Sequence, residues 1–299
     1  MTRCLFVADL HGAAGRYASL FAAIRAERPA AVFLGGDLLP SGLAAAVDAT
    51  DGDFVRDVLA PGFARVRQDL GAAAPRVFLI LGNDDGRIEE ESVLEGAAAG
   101  AWEYAHGRSI PFGDWTVFGY ACVPPTPFAL KDWERYDVSR HVDPGCTSPE
   151  EGWRTVPLRE GEARNATIRE DLERLAGAGE LARGVFLFHA PPYDTRLDRA
   201  ALDGVAVDHV PLDPHVGSIA IRRFLEARQP LLSLHGHVHE SARLTGDWRD
   251  RLGRTHCLSA AHDGAELALV RFDLESPGQA TRALILPPGL PARAGAPRP

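Results

Sequence analysis

Apolar runs that end in polar residues recur along the chain, and they set the predicted architecture. The first three lie at residues 3–8, 31–34 and 77–81, and such nearly continuous apolar runs are typical of parallel strands covered on both faces. Helical patterns separate them at residues 16–27 and 54–70. This β-α-β-α-β order predicts parallel strands with right-handed crossovers, whose following polar residues meet at one edge of the sheet.

The rest of the chain continues in the same way but is less regular. Strands are predicted at residues 115–120, 185–188, 230–234, 257–259, 267–272 and 282–286, and helices at 87–99, 163–176 and 216–228, with Pro61 breaking or kinking the earlier helix. Residues 123–158 and 193–215 have no clear period, which is typical of functional loops. We therefore predict a single domain over residues 1–287 with irregular insertions at about 123–158 and 193–215, and a flexible tail at 288–299.

Short polar clusters follow five of the predicted strands. They contain Asp9 and His11, Asp37, Asn83, His189, and His237 with His239. Each cluster has an ordinary explanation, because Asp and Asn cap helices and a histidine after a strand often bonds only to backbone. All of them together are metal-capable and stand where an α/β sheet normally carries its site. The joint pattern therefore predicts a metal centre.

Charge and cysteine content narrow the function classes. The 299 residues carry a formal net charge of -9 with a pI of about 5.7, which argues against a nucleic-acid footprint spread over the surface. A small phosphorylated substrate stays compatible, because metal ions supply local positive charge. The four cysteines are far apart and form no CxxC pair, so we expect free thiols in a reducing compartment. We find no signal peptide or membrane-length apolar segment, so a cytoplasmic location without membrane attachment is expected, and the oligomeric state stays open.

With the residues in this order, the chain resembles the calcineurin-like metallophosphoesterase superfamily. The resemblance implies an α/β fold of two packed mixed β-sheets flanked by helices, a four-layer α-β-β-α sandwich with two metal ions at the strand ends. It implies that one metal is held by Asp9, His11 and His239, that the other is held by Asn83, His189 and His237, and that Asp37 bridges both. Oxygen and nitrogen ligands without thiolate suit manganese, iron or zinc as divalent or trivalent ions.

One position departs from the family pattern. Asp84 stands where the family usually has a histidine that assists the leaving group or binds phosphate. Asp84 is interpreted as a general acid with a raised pKa, as a group that orients a metal ligand, or as a sign of lost chemistry. We favour the orienting role. Asp85 is interpreted as structural and His235 as a neighbour of the ligands.

The resemblance implies a phosphoester hydrolase in which Asp37 and Asp84 serve catalysis. We expect a phosphodiesterase that acts on a small substrate, of which nucleotides are one class, through a metal-bridging hydroxide. The segments 189–192 and 237–240 also resemble the subgroup of vertebrate brain metallophosphoesterases and bacterial relatives, which is linked to phosphodiester hydrolysis. The alternatives are a phosphomonoesterase, acting on small molecules or proteins, and a non-catalytic metal-binding interaction module. A nuclease is disfavoured by the charge.

The two irregular stretches are predicted to form the substrate pocket over the metals. Their candidate substrate-binding residues are Lys131, Trp133, Arg135 and Tyr193, with Phe128 and Tyr136 as further aromatics. Aromatic rings stack on bases or aromatic leaving groups, and cationic side chains bind phosphate. The alternative is that these residues form a small satellite core under a long loop.

Overall fold

The computed structural model describes residues 1–42, 52–159 and 161–289, and its framework is a pair of packed β-sheets. The strands in chain order are β1 Arg3–Val7, β2 Ala31–Gly35, β3 Arg76–Ile80, β4 Glu103–Tyr104, β5 Ser109–Phe112, β6 Trp115–Tyr120, β7 Gly184–Phe188, β8 Ala206–Val207, β9 Val210–Pro211, β10 Leu232–His235, β11 Arg249–Leu252, β12 Thr255–Ser259, β13 Leu267–Asp273 and β14 Thr281–Ile285. Strands β8 and β9 form a separate hairpin.

Each sheet has six strands, four of which are parallel. Antiparallel strands lie on one side of them in the first sheet and on both sides in the second. The first sheet runs in the order β14-β13-β1-β2-β3-β4, with β1, β2, β3 and β4 parallel and β13 antiparallel to β1. The second runs β11-β12-β10-β7-β6-β5, with β12, β10, β7 and β6 parallel. The parallel centres follow from strands buried on both faces, as in β2 and β7, where every residue is buried.

Helices cover the outer faces of both sheets. They are α1 Ala14–Glu27, α2 Ala60–Leu70, α3 Glu90–Ala98, α4 Glu162–Asn165, α5 Ile168–Ala176, α6 Ile219–Arg228 and α7 Ser241–Thr245, with a π-helical turn at Val55–Leu59. One aromatic and aliphatic core runs through the sandwich. In it Phe33 stacks on Phe78, and Phe118 stacks on Phe186, which packs against Phe224 of α6. The predicted four-layer sandwich of two mixed sheets is confirmed.

Several predicted elements differ in detail from the observed ones. Pro61 neither ends nor breaks the second helical stretch. It closely follows the π-helical turn within one continuous helical stretch, and such a turn is where a helix accommodates a residue that cannot donate an N–H. The helix predicted at 163–176 is two helices, because Thr167 caps α5 with its side chain on the N–H of Glu170. The predicted tail at 288–299 lies outside the described residues from 290 onward.

The two irregular stretches are as aperiodic as the sequence indicates, with one exception. Residues 123–158 contain only isolated bridges, among them Val123 to Glu134 and Leu130 to Trp153. Residues 193–215 contain the β8–β9 hairpin, which the sequence pattern does not predict. None of the helices in the described ranges has the length and apolar content that a membrane crossing requires.

Candidate metal centre

The predicted metal ligands all follow the carboxyl ends of parallel strands, and the two sheets contribute about equally. Asp9, Asp37 and Asn83 come after β1, β2 and β3 of the first sheet, with His11 two residues beyond Asp9. His189 follows β7, and His237 and His239 follow β10, in the second sheet. Because these strands run parallel, their ends meet at one edge. The site therefore lies where both sheets end.

The first group consists of Asp9, His11, Asp37 and His239. One donor atom from each lies within 4.8 Å of all the others. The Nε2 atoms of His11 and His239 are 3.3 Å apart, and His239 Nε2 is 3.4 Å from Asp9 Oδ1. Such a cluster of imidazole and carboxylate donors matches the donor set of transition-metal sites.

The second group is built around His189, whose side chain is fully buried. Its Nε2 lies 3.0 Å from Asn83 Oδ1 and 3.2 Å from Asp37 Oδ2. The ring of His237 packs edge-on against that of His189, with 5.2 Å between the centroids. Asp37 thus belongs to both groups, because its Oδ2 also faces His11 Nε2 at 3.9 Å.

The hydrogen-bond partners of the ring nitrogens indicate that the side chains of both groups direct lone pairs toward positions where cations can bind. His189 Nδ1 lies 2.8 Å from the carbonyl oxygen of Gly35, which only accepts, so Nδ1 donates its hydrogen there. In the neutral ring the Nε2 lone pair then points at Asn83 Oδ1 and Asp37 Oδ2, which are also acceptors. His11 repeats the arrangement, since its Nδ1 donates to Asp84 Oδ2 at 3.1 Å and its Nε2 faces His239. Lone pairs that face one another in this way fit bound metal ions.

Asp9 provides a second sign that the residues fit metal ions. Its Oδ1 accepts the backbone N–H of His237 at 2.9 Å, whereas its Oδ2 is buried without a hydrogen-bond partner. A buried carboxylate oxygen without a partner is costly, and a bound cation removes that cost.

The electrostatic field at the site attracts positive charge. Burial opposes protonation of His189, but the nearby Asp37 outweighs it and raises the His189 pKa to about 9. Burial likewise opposes protonation of His11, and Asp84, Asp37 and Asp9 together raise its pKa to about 9. His237 differs, because burial and the neighbouring His189 lower its pKa to about 3, which keeps its ring neutral. Without a metal, the carboxylates therefore favour a second proton on His189 and His11. A bound cation would displace that proton and leave neutral rings with the lone pair that a metal needs, as His237 already has.

Backbone conformation around the site is unusual. Asp9, His11, Asp37 and His237 all have positive φ, between 46° and 75°, a region that non-glycine residues visit at a cost. Close backbone approach adds a second constraint, because a Cβ on Gly82 would lie 2.4 Å from Asp37 Oδ1. The loops are thus held in strained, tightly packed geometry that aims several side chains at one place.

Asp84 orients one predicted ligand. Its Oδ2 accepts from His11 Nδ1, its Oδ1 accepts from the Ser41 hydroxyl at 2.7 Å, and its backbone N–H donates to Asp37 Oδ1 at 2.8 Å. With both oxygens engaged, the carboxylate fixes the ring and tautomer of His11. This contact corresponds to the orienting role favoured from the sequence.

Asp85 and His235 support the loops from beneath. Asp85 is fully buried and accepts the backbone N–H groups of Leu38, Leu39 and Gly82, so it ties the loop after β2 to the loop after β3. His235 is also fully buried, with its ring nitrogens on the Ala190 carbonyl and the Ser233 hydroxyl. Neither side chain points to the two groups, as the sequence interpretation expected.

The candidate substrate-binding residues have different environments. Lys131 is fully buried, and its Nζ donates to Glu134 Oε2 at 2.7 Å and to the Thr126 carbonyl at 2.8 Å. Trp133 is only 2% exposed and packs edge-on against His106. Neither side chain has surface left for a substrate, which matches the satellite-core alternative. Tyr136 is buried as well, whereas Phe128 is exposed.

Arg135 and Tyr193 are more accessible. Arg135 donates to Glu162 at 3.1 Å, and Tyr193 donates its hydroxyl hydrogen to Asp213 at 2.6 Å while its ring lines a cleft between the two irregular stretches. Substrate binding by these two residues stays a prediction.

Two further residues near the site have supporting roles that the sequence did not predict. Ser41 holds Asp84, and Arg16, at the start of α1, donates to the backbone carbonyls of Asp9 and Gly264. Arg16 thereby fixes the loop that carries the first ligands. The sequence contains no signal for either contact, because each joins segments that are far apart in the chain.

Comparison of the sequence and the structure with known proteins identifies the family of this chain. The profile of the calcineurin-like phosphoesterase family matches residues 2–241. No curated protein sequence matches significantly. One solved structure superimposes with a TM-score of 0.58 at 14% identity, covering 95% of this chain and 99% of the other. The protein TT1561 of Thermus thermophilus gives 0.54 at 15% identity, with coverage of 95% and 98%.

A dimetal phosphatase from Danio rerio gives a TM-score of 0.47 at 14% identity, with coverage of 90% of this chain and 91% of the other. At such low identity, structural likeness speaks for the fold alone. The family match covers most of the chain and includes every residue of the two groups. The chain therefore belongs to the calcineurin-like phosphoesterase family and is a hydrolase of phosphoric esters.

Proposed function

We propose that the protein is a dinuclear metal-dependent phosphodiesterase acting on a small substrate. The observation that carries the proposal is the convergence of lone pairs from two groups of side chains that share Asp37. Asp9, His11 and His239 would hold one ion and Asn83, His189 and His237 the other, with Asp37 available to both. When bound, the two ions activate water for attack on phosphorus and offset the charge of the phosphate.

The chain's own residues keep the donors in place before any substrate arrives. The Gly35 carbonyl holds the proton of His189 on Nδ1, and Asp84 does the same for His11, so that both Nε2 lone pairs face inward. Fixing the tautomer and orientation of a ligand strengthens metal binding. The positive-φ loops add rigidity, since their conformation leaves few alternatives.

The donor chemistry supports manganese, iron or zinc. Both groups offer imidazole nitrogen and carboxylate or amide oxygen. No cysteine among the described residues belongs to either group, since Cys4, Cys122 and Cys257 are buried elsewhere and Cys146 lies in an irregular stretch. Sites without thiolate and with mixed nitrogen and oxygen donors suit these metals.

A diester is favoured over a monoester by Asp84. Its side chain is 32% exposed beside His11 and places negative charge at the mouth of the site. A phosphomonoester carries nearly two negative charges near neutral pH and a diester only one, so this carboxylate repels the monoester more. The same position offers no histidine to protonate a poor leaving group.

The test is hydrolysis by metal-depleted protein to which single metals are restored. Ethyl p-nitrophenyl phosphate and p-nitrophenyl phosphate share a leaving group and differ in charge. We expect manganese, iron or zinc to restore activity, with a higher kcat/KM for the diester. Equal or higher kcat/KM for the monoester contradicts the diester assignment, and activity without metal contradicts the dinuclear centre.

A further inference from the structure

A cleft of about 470 Å³ lies between the two irregular stretches, and none of the predicted metal ligands lines it. Its volume falls in the range of ~300–1,000 Å³ typical of small-molecule sites. One wall comes from the first stretch, with Pro124 and Pro127, and the other from the second stretch and its hairpin, with Leu202, Val207 and Leu212. The walls are therefore largely apolar.

The hairpin of β8 and β9 closes one end of the cleft. A Cβ built on Gly145 would lie 3.3 Å from Val207 Cγ2, so the hairpin touches the loop of the first stretch. The hairpin turns at Asp208 and His209, both with positive φ, as a two-residue primed turn requires. The two stretches thus enclose a shared space instead of packing solidly against each other.

Both ends of the cleft connect to loops that carry predicted metal ligands. Tyr193 lines the cleft, and its backbone N–H donates to Ser218, whose own N–H donates to Pro191, two residues after His189. Leu202 also lines the cleft, and the N–H of the preceding Ala201 donates to Glu240, next to His239. The cleft is therefore linked by short hydrogen-bonded segments to the loops that carry His189 and His239.

The charged side chains that line the cleft are mostly carboxylates. Asp143 and Asp213 line it together with Asp137, whereas no lysine or arginine among the described residues does. Two histidines line it as well: His141 lies 3.4 Å from Asp143, and His215 packs edge-on against Tyr193. Asp213 accepts the hydroxyl hydrogen of Tyr193, which leaves the tyrosine ring with an electron-rich face beside a carboxylate. Electron-rich rings next to carboxylates attract cations, above all quaternary ammonium groups, which carry their charge in an apolar shell.

We propose that this cleft binds the non-reacting alcohol of a phosphodiester and that this alcohol carries a quaternary ammonium group. The proposal rests on the phosphodiesterase assignment above and adds the substrate class. The apolar walls contact the methyl groups, Tyr193 offers its ring face, and Asp143 and Asp213 supply complementary charge. A further phosphate in the substrate is disfavoured, because carboxylates line the cleft and no lysine or arginine of the described residues does.

The activity test compares p-nitrophenyl phosphocholine with p-nitrophenyl 3,3-dimethylbutyl phosphate, an isostere that has the same leaving group and a neutral tert-butyl group in place of the quaternary ammonium. We expect kcat/KM to be about 5–30-fold higher for the choline ester, the range expected for a cation–π contact with charge complementarity. The double variant Asp143→Asn/Asp213→Asn should lose most of this preference. Asp114→Asn, at an exposed carboxylate outside the cleft, is the matched control and should keep it.

A cleft-filling variant separates the pocket from the metal centre. Leu212→Trp should lower kcat/KM for both large esters at least tenfold while leaving ethyl p-nitrophenyl phosphate unchanged. If the choline ester shows no preference, or if Leu212→Trp affects all esters equally, the proposal is overturned. It is also overturned if thymidine 5′-(p-nitrophenyl phosphate) is the preferred ester and depends on the cleft, since the occupant is then a nucleoside.

A binding experiment tests the cleft without catalysis. Choline and 3,3-dimethylbutan-1-ol are titrated into metal-depleted protein and followed by NMR. Wild type should bind choline more tightly than the neutral alcohol, and Leu212→Trp should bind neither. Failure to hydrolyse ethyl p-nitrophenyl phosphate counts against the phosphodiesterase assignment alone, whereas equal binding of choline and the alcohol counts against the cleft proposal.

Discussion

Asp37 is the one side chain that belongs to both groups of predicted metal ligands. Its Oδ1 accepts the backbone N–H of Asp84, and its Oδ2 lies near both His11 and His189. Burial alone would raise the pKa of Asp37, but His189 lowers it to well below the usual range, so the side chain stays ionised. One ionised carboxylate therefore interacts with histidines of both groups.

Removing the charge of Asp37 should abolish activity without unfolding the protein. Asp37→Asn keeps the size of the side chain but loses the anionic oxygen common to both groups, so loss of the activated water is expected. His237→Ala should have the same effect through the second group. Turnover and circular dichroism are measured at saturating manganese, with Asp114→Asn as a control that keeps full activity. Near wild-type turnover of either site variant would show that the ligand assignment is wrong.

Asp84 should matter less than the ligands it supports. Asp84→Asn should lower kcat/KM by about 10–100-fold, as changes in groups that orient metal ligands do. Ser41→Ala removes one bond to Asp84 and should cost less. If Asp84→His instead raises activity toward esters with poor leaving groups, the position lacks acid catalysis in the natural sequence. Unchanged rates in both Asp84 variants exclude either role.

At the scale of elements, apolar runs predict nine of the fourteen strands in the described residues to within about two residues, as at residues 115–120, where the boundaries of β6 agree fully. They miss the short strands β4, β5, β8, β9 and β11. Helix ends are predicted less well, because long-range contacts fix them. The α6 helix begins at Ile219, since Ser218 caps it and Asp137, about eighty positions earlier in the chain, accepts the N–H groups of Ile219 and Ala220. A local pattern contains no information about such a partner.

The same limit applies to the candidate site. Strand ends and donor types are enough to predict the two groups, because parallel strands bring their carboxyl ends together. The environment of Lys131 is not predictable, since its burial depends on Thr126 and Glu134 within an aperiodic stretch. The β8–β9 hairpin is not predicted from the sequence for a different reason. Its turn residues are Asp208 and His209, which lack the usual Asn-Gly or Asp-Gly signal.

The connection between β4 and β5 should make stability depend on acid pH. His106 lies there, against Tyr120 of the second sheet and Trp133 of the first irregular stretch, and accepts the N–H of Ala121. Burial, together with Arg135 and Arg87, lowers its pKa to about 3. The unfolded chain, with a histidine pKa of about 6.5, binds this proton more readily, so the stabilisation is complete above pH 6.5 and is lost as pH falls toward 3.

His106→Asn keeps an acceptor for the Ala121 N–H and removes the titration. The free energy of unfolding is measured by urea titration at pH 7 and pH 5 for both proteins. Wild type should lose about 1–2 kcal/mol more than the variant over this interval. Parallel losses in the two proteins contradict a role for His106 and assign the acid sensitivity to other groups.

At the scale of the whole molecule, the candidate metal centre draws on both sheets. The first sheet supplies Asp37 and the second supplies His189, so a bound metal would connect loops from both. The core between the sheets is continuous, with strand β3 packed against β6 and β7. Metal binding and sheet packing should therefore stabilise the same folded state, and the predicted single domain of residues 1–287 should unfold as one unit.

Thermal unfolding tests this coupling with two reporters. Circular dichroism follows all elements, whereas fluorescence of a Trp102→Phe variant follows the second sheet and the irregular stretches, because Trp102 packs on Phe63 beside the first sheet. Both signals should give one midpoint, and manganese at about one hundred times its Kd should raise that midpoint by about 5 °C or more. Asp37→Asn in the same background should lose most of this rise. Two separate midpoints, or a rise seen by only one reporter, would mean that the sheets unfold independently and that the metal stabilises only one of them.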